Sequence, residues 1–178
     1  VGKLFGPSRA MKGGVGSAAV QVGPWVVGAL VVCNAIGDVV DPSTGQLIAG
    51  ARTASDQLTL IDTVRAQMQA VPGAGALAGG NTTIGVVGCS ATLTKAQARR
   101  LAQVGHDGWA RTIRPVHTPM DGDTLFSLAT ARVKEAPDMM LLCTLAAEAV
   151  AQATVQAVRQ AQALRLGDGW WPAARDLR

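Results

Sequence analysis

The sequence predicts a mixed α/β fold, with sheets covered by helices. Three observations point there. The runs "WVVGALVVCNA" (Trp25–Ala35) and "TTIGVVGC" (Thr82–Cys89) are short, valine-rich and largely apolar, the signature of strands buried on both faces. "TLTKAQARRLAQVGHDGWARTI" (Thr92–Ile113) and "TLAAEAVAQATVQAVRQAQAL" (Thr144–Leu164) read as helices. The second half of the chain then alternates strand, helix, strand, helix, an order that suits sheet and helix layers around one core.

The elements follow in order. The first twenty residues, rich in Gly, Ser and basic residues, read as a loop leading into a strand. Trp25–Ala35 is a strand closing on Gly37. "DVVDPSTGQLIAGA" holds a short strand and a turn opened by Asp41-Pro42 and closed by Gly45, with strand resuming at Gln46–Ala49. "SDQLTLIDTVRAQMQAV" fits a helix capped by Ser55 or Asp56. Residues 72–80, "PGAGALAGG", read as a flexible linker. In the helix that follows, Thr94 serves as cap, and Leu101, Val104 or Gly105, Gly108 and Trp109 share a face. Each glycine there costs about 1 kcal/mol against alanine, which suits a face approached closely by another backbone. "HTPMDGDTLFSLAT" is a loop running into a strand, and "GDGWWPAARDLR" reads as a tail.

With 178 residues the chain is expected to form one structural domain. Apolar residues make up 48% and charged residues 16%. Net charge is +4, and the charges are spread along the chain without a basic patch interleaved with aromatics, so no nucleic-acid partner is expected. Small side chains dominate, so tight packing and oligomer contacts are expected. Cys33, Cys89 and Cys143 are widely spaced in apolar surroundings and fit free thiols of a reducing cytoplasm. His106 and His117 lack partners at ligand spacing, so neither a metal nor another cofactor is expected. No run of 18 apolar residues suggests a membrane span. The chain opens on Val1 in what reads as running sequence, so a preceding segment is expected.

The junction "AGGNTTIGVVGC" is the candidate reaction centre. A loose Gly/Ala run stops at Asn81 and an apolar strand begins. A threonine hydroxyl is a weak nucleophile unless a base lies beside it, and its own α-amine serves when threonine heads a chain. That amine has a reference pKa of about 7.7–8.0, so it is partly unprotonated near neutrality. An internal threonine acquires it only by cleavage of the preceding peptide bond, here Asn81–Thr82. A turn asparagine followed by an ordinary strand start fits the same letters. Around the junction, Lys12 lies in a glycine-rich loop, and Asn34 ends a buried strand, placed as an amide donor to an oxyanion. Asp121 and Asp123, two apart, face one side where a strand begins, able to hold the lysine and the new ammonium group. A solvated loop lysine, a strand-end turn residue and plain turn chemistry remain the alternatives for these.

Taken together, "MKGGVGSA", "VGALVVCNAIGDVVDPSTG", "NTTIGVV" and "LTKAQARRLAQVGHDGWARTIRPVHTPMDGDTLFSLAT" resemble the L-aminopeptidase/D-esterase family, which includes β-aminopeptidases and nylon-oligomer hydrolases. The resemblance implies stacked αββα layers, similar to the N-terminal-nucleophile hydrolases but with the topology shared by these aminopeptidases and ornithine acetyltransferases. It implies self-cleavage between Asn81 and Thr82, with residues 1–81 the C-terminal part of an α chain and 82–178 a β chain headed by the nucleophile. Matched in order, Thr82 falls at the nucleophile, Asn34 at the active-site asparagine, and Lys12, Asp121 and Asp123 at the lysine and paired aspartates of the nylon-oligomer hydrolase branch. Family members carry an upstream segment with an active-site tyrosine, whereas this sequence has no tyrosine, so the resemblance covers nearly the whole of this chain and the C-terminal two thirds of family members. The implied activity is hydrolysis of a small peptide, amide or ester through a threonyl acyl-enzyme, releasing N-terminal amino acids or cleaving small amide oligomers. Cytoplasmic homo-oligomers of αβ units, without cofactor or membrane, are expected. An acyltransferase of the ornithine-acetyltransferase type and a non-catalytic relative are the alternatives.

Overall fold

The computed structural model describes residues 1–69 and 80–177. In chain order the elements are β1 (Gly14–Val22), β2 (Trp25–Cys33), β3 (Asp38–Val40), β4 (Leu47–Ala49), α1 (Thr63–Met68), β5 (Ile84–Ala91), α2 (Lys95–Thr112), β6 (Ile113–Arg114), β7 (Thr124–Val133), α3 (Met139–Arg159), β8 (Leu164–Leu166) and β9 (Gly169–Trp171). The main sheet has the order β1-β2-β5-β7. β1 and β2 form an antiparallel hairpin through Gly23-Pro24, β5 pairs antiparallel with β2, and β7 pairs parallel with β5. A parallel neighbour requires a crossover, and α2 supplies it. A second sheet, β4-β3-β6, lies at the end of the helices, and β8-β9 is a separate hairpin.

The helices cover one face of the main sheet, α3 packing on β1 and β2 and α2 on β7. Strand alternation follows: Val27, Val31 and Cys33 of β2 and Val87 and Cys89 of β5 point into the core. The opposite face carries Val15, Leu30, Val32, Ile84, Phe126 and Leu128, all exposed. The chain thus supplies one helix layer on one sheet layer of the expected stack.

The small-residue composition is explained where helices meet. α2 packs against α3, and a Cβ on Gly108 would lie 2.4 Å from the Ala147 carbonyl oxygen. The close backbone approach expected of the α2 glycine face is present. α3 is long and apolar enough to cross a bilayer, with mean hydropathy 1.4, and 61% of that stretch is buried within the fold. Its buried face includes Leu142, Leu145, Val150 and Val158, as in the core helix of a layered domain. The three cysteines are free, Cys33 and Cys89 buried, and burial pushes all three thiols above their ordinary range.

Four sequence expectations change. The first strand begins early, at Gly14, where a loop was expected through residue 20. The helix expected from Ser55 begins only at Thr63, capped by Asp62, whose carboxylate accepts the Arg65 N–H at 3.0 Å. Its expected first turn is claimed by buried Arg52, whose guanidinium takes the carbonyls of Ser55 (2.5 Å) and Gln57 (3.1 Å). α3 starts at Met139, five residues before Thr144, because Asp138 caps it through the Leu141 N–H, and it ends at Arg159 rather than Leu164. The expected tail is a docked hairpin: Trp171 Nε1 donates to the Pro7 carbonyl at 3.0 Å, and Trp170 stacks on Arg52 with 5.2 Å from guanidinium carbon to ring centroid. The linker expectation falls mainly on residues 70–79, outside the described residues. The capping of α2 is as expected, with Thr94 and Gln97 forming a reciprocal capping box.

Candidate active site

Strand register brings the junction and its neighbours together. β5 and β7 run parallel with Ile84 opposite Thr124, and the same offset continues upstream as an Asn81–Asp121 bridge. Thr82 therefore lies beside Gly122. β2 and β5 run antiparallel with Val32 opposite Ile84. Two residues further on, that register carries Asn34 alongside Thr82. Three chain segments far apart in sequence thus converge at one rim of the sheet.

The two threonines face opposite ways, as strand alternation requires. Thr83 is fully buried, and its hydroxyl has no hydrogen-bond partner among the described residues. Thr82 is half-buried, and its hydroxyl lies against the bare Cα of Gly122: a Cβ built there would sit 2.6 Å from Thr82 Oγ1. Immediately upstream, two successive carbonyls are held. The Asn81 carbonyl accepts the Gly122 N–H at 2.9 Å. The Gly80 carbonyl accepts Asn34 Nδ2 at 3.2 Å and Lys3 Nζ at 2.5 Å.

Lys3 is the lysine that the structure brings to Asn34. Its ammonium also donates to Asn34 Oδ1 at 2.8 Å and to the Asn34 carbonyl at 2.9 Å. Its own N–H is anchored on the Ile36 carbonyl at 2.8 Å. Burial pulls the ammonium below its ordinary pKa, and the nearby Asp121 carboxylate opposes that shift. Lys12 donates its backbone N–H to Pro172, and among the described residues its side chain makes no hydrogen bond to Asn34, Thr82, Asp121 or Asp123. In the sequence Lys3 is inconspicuous because the flanking letters "VGKLFG" look like loop. The available signal was that its neighbours Val1, Leu4 and Phe5 are apolar, and all three are buried.

The paired aspartates flank Gly122 and fall on the Thr83 side of the ladder. Asp123 accepts the Thr83 N–H at 2.9 Å through Oδ1 and meets His117 Nδ1 at 3.0 Å through Oδ2. Its side chain is only 4% exposed. Asp121 accepts the Thr118 N–H and hydroxyl at 3.0 and 2.7 Å. His117 continues to His106, Nε2 to Nδ1 3.3 Å, and His106 stands edge-on to buried Trp109. The His117 backbone has φ 53°, in the left-handed region uncommon for any residue but glycine. Burial and neighbouring His117 lower the His106 pKa. Neither histidine was expected to matter. They lie eleven residues apart, and only the return of the chain after β6 sets them side by side. Local strain of this kind concentrates at functional sites.

This geometry places a threonine hydroxyl, a captured upstream carbonyl, an amide donor and a lysine on one sheet rim. The fold is that of aminopeptidases related to the N-terminal-nucleophile hydrolases. A Burkholderia β-aminopeptidase superposes with TM-score 0.62 at 22% identity, covering 99% of this chain and 52% of its own. An L-aminopeptidase D-Ala-esterase/amidase from Ochrobactrum anthropi, described as a new variant among the Ntn hydrolase fold, superposes with TM-score 0.60 at 21% identity, covering 97% and 50%. Residues 7–170 match the model of peptidase family S58, and the chain belongs to that family.

Among curated relatives, an uncharacterized aminopeptidase of Mycobacterium tuberculosis (strain ATCC 25618 / H37Rv) is 44% identical over 135 residues, 72% of this chain and 39% of that protein. A 6-aminohexanoate-oligomer endohydrolase of Paenarthrobacter ureafaciens is 32% identical over 123 residues, 67% and 34% respectively. The chain spans about two fifths or less of the length of these relatives.

Proposed function

We propose that this chain carries the nucleophile of a self-cleaving peptide and amide hydrolase, with Thr82 as that nucleophile. Cleavage divides the protein after Asn81 into a segment ending there and a segment headed by Thr82. In the first stage the Thr82 hydroxyl attacks the Asn81 carbonyl carbon. The carbon–nitrogen bond breaks, the hydroxyl proton passes to the departing nitrogen, and an ester remains. Water hydrolyses the ester, leaving a carboxylate on Asn81 and a free α-amine on Thr82.

In the second stage that amine takes the Thr82 hydroxyl proton as the oxygen attacks a substrate carbonyl, then passes it to the substrate nitrogen, which leaves as an amine when the substrate carbon–nitrogen bond breaks. Departure of residues 80 and 81 releases Asn34 Nδ2 and Lys3 Nζ from the Gly80 carbonyl. Asn34 then donates to the substrate oxyanion, and Lys3 keeps the asparagine oriented through Oδ1. Asp123 fixes the backbone just after the nucleophile. Water attacks the acyl-enzyme and releases the acid. The substrate class is a small peptide or amide oligomer, in line with the names of the relatives, and the working form is an oligomer of cleaved units in the cytoplasm.

The observation that carries this reading is the capture of the Gly80 carbonyl by both Asn34 and Lys3, next to a half-buried Thr82. Hydrolysis of amino-acid anilides and of 6-aminohexanoate oligomers tests it. The protein is expected to hydrolyse at least one of these sets, and Thr82→Ala is expected to hydrolyse none. Undiminished turnover by Thr82→Ala would remove Thr82 from the chemistry.

A further inference from the structure

We propose that Gly122 is a catalytic residue of the self-cleavage step. Its backbone N–H is the oxyanion donor to Asn81, and its bare Cα is the seat of the attacking hydroxyl. This rests on the proposed cleavage at Asn81–Thr82 and adds a second residue to that step.

Two independent features meet at this residue. The Gly122 N–H donates to the Asn81 carbonyl oxygen at 2.9 Å. That oxygen becomes negatively charged when Thr82 Oγ1 bonds to the Asn81 carbon. The donor is in place beforehand, held by the Asn81–Asp121 bridge on one side and by the Thr124 N–H to Thr83 carbonyl bond of 3.0 Å on the other. Preorganised donors of this kind contribute most where charge develops. The second feature is space. A Cβ at Gly122 would stand 2.6 Å from Thr82 Oγ1, 3.5 Å from its Cγ2 and 3.6 Å from its Cβ. Any side chain there displaces the hydroxyl from the carbonyl it attacks. Gly122 does not adopt a positive φ, so its requirement is for space beside the nucleophile and not for backbone freedom.

The step balances within the chain. The Thr82 oxygen gains the acyl group, the Thr82 nitrogen gains the hydroxyl proton, and Gly122 lends its hydrogen bond to the oxyanion without giving up the proton.

The test follows the rate of appearance of the Thr82-headed segment by intact mass, in purified protein. Gly122→Ala is expected to slow cleavage about 100-fold, the loss that follows a displacement of about 1 Å in a reacting group. Adding Thr82→Ser is expected to recover part of that rate, because serine lacks the Cγ2 methyl and its hydroxyl can move clear. Gly88→Ala is the packing control. It lies on the same strand pair, its Cβ would meet Leu128 at an ordinary 3.4 Å, and cleavage is expected at the unmodified rate. A backbone ester between Asp121 and Gly122, which removes the N–H without adding a side chain, is expected to slow cleavage about 100-fold. The ester also serves if Gly122→Ala does not fold.

Cleavage at the unmodified rate in Gly122→Ala or in the ester variant would overturn the inference while leaving Thr82 as the nucleophile. Equal slowing by Gly88→Ala, or no recovery with serine, would overturn the seat. Absence of cleavage in the unmodified protein would remove the proposed function and this inference together.

Discussion

At the residue scale, Lys3 Nζ binds three oxygens, of Asn34 and Gly80, at distances of 2.5 to 2.9 Å. In the proposed mechanism this cation fixes the amide that faces the substrate oxyanion. Lys3→Met is expected to lower hydrolytic turnover about 100-fold, the scale of a lost oxyanion-site group. Lys12→Met is expected to lower it much less, and a side-by-side turnover measurement decides which lysine belongs to the centre. His117 acts one step further out, through Asp123 to the Thr83 N–H. His117→Asn is therefore expected to lower turnover by less than Lys3→Met does, read in the same side-by-side measurement. Thr82, Asn34, Asp121 and Asp123 stand out in the sequence as candidates because each sits at a strand end or turn, and register brings Thr82 and Asn34 together. Lys3, His117 and Gly122 were not. Their significance comes from register and chain return, which spacing within one segment does not encode.

At the element scale, β3 and α1 are joined through one buried carboxylate. Asp38 accepts the Ala51 N–H at 2.8 Å, the Thr63 N–H at 2.7 Å and the Thr63 hydroxyl at 2.7 Å. Burial outweighs these bonds and raises its pKa from 3.8 to about 6. The sign follows from proton counting. Below about pH 4 the group is protonated in folded and unfolded chains alike. Between about 4 and 6 only the unfolded chain releases the proton, so stability falls as pH rises, by up to ~3 kcal/mol, and is level above that. Denaturant unfolding across pH is expected to show this slope in the protein and to lose it in Asp38→Asn, whatever the variant's absolute stability. A second prediction concerns the contact of β1 with α3. A Cβ on Gly16 would come within 2.1 Å of the Ala153 carbonyl oxygen and 2.3 Å of the Ala157 nitrogen, both backbone atoms. Gly16→Ala is expected to cost at least the 1–3 kcal/mol typical of overpacking, read from the same unfolding curves. α2, α3 and the central strands were foreseen from their apolar patterns, and α2 also from its Thr94 cap. The β8-β9 hairpin was not, since its order comes from the distant contacts of Trp170 and Trp171 with Arg52 and Pro7.

At the scale of the whole molecule, the main sheet is helix-covered on one face and apolar on the other. Val15 is 57% exposed, Phe126 65% and Leu128 49%. Apolar faces of this kind are rarely left open to water. The 178-residue chain alone is expected to self-associate, with light scattering showing a mass that rises with concentration. Leu30→Thr with Phe126→Thr is expected to reduce that association without loss of fold, because threonine keeps the strand preference. Thr82 and Asn34 lie at the end of this same face, so whatever covers the sheet also forms a wall of the proposed reaction centre. The layered class was readable from alternating strands and helices, but the open face was not. A run apolar at every position predicts burial on both sides.

The central claim is that the Thr82 hydroxyl cuts the chain ahead of it and thereby gains its own amine. The most direct measurement is the intact mass of the incubated protein together with the identity of any new N-terminus. The account predicts one segment ending at Asn81 and another beginning with an unmodified Thr82, both absent from Thr82→Ala. A chain that stays whole, is cut at another bond, or is cut equally in Thr82→Ala would contradict it.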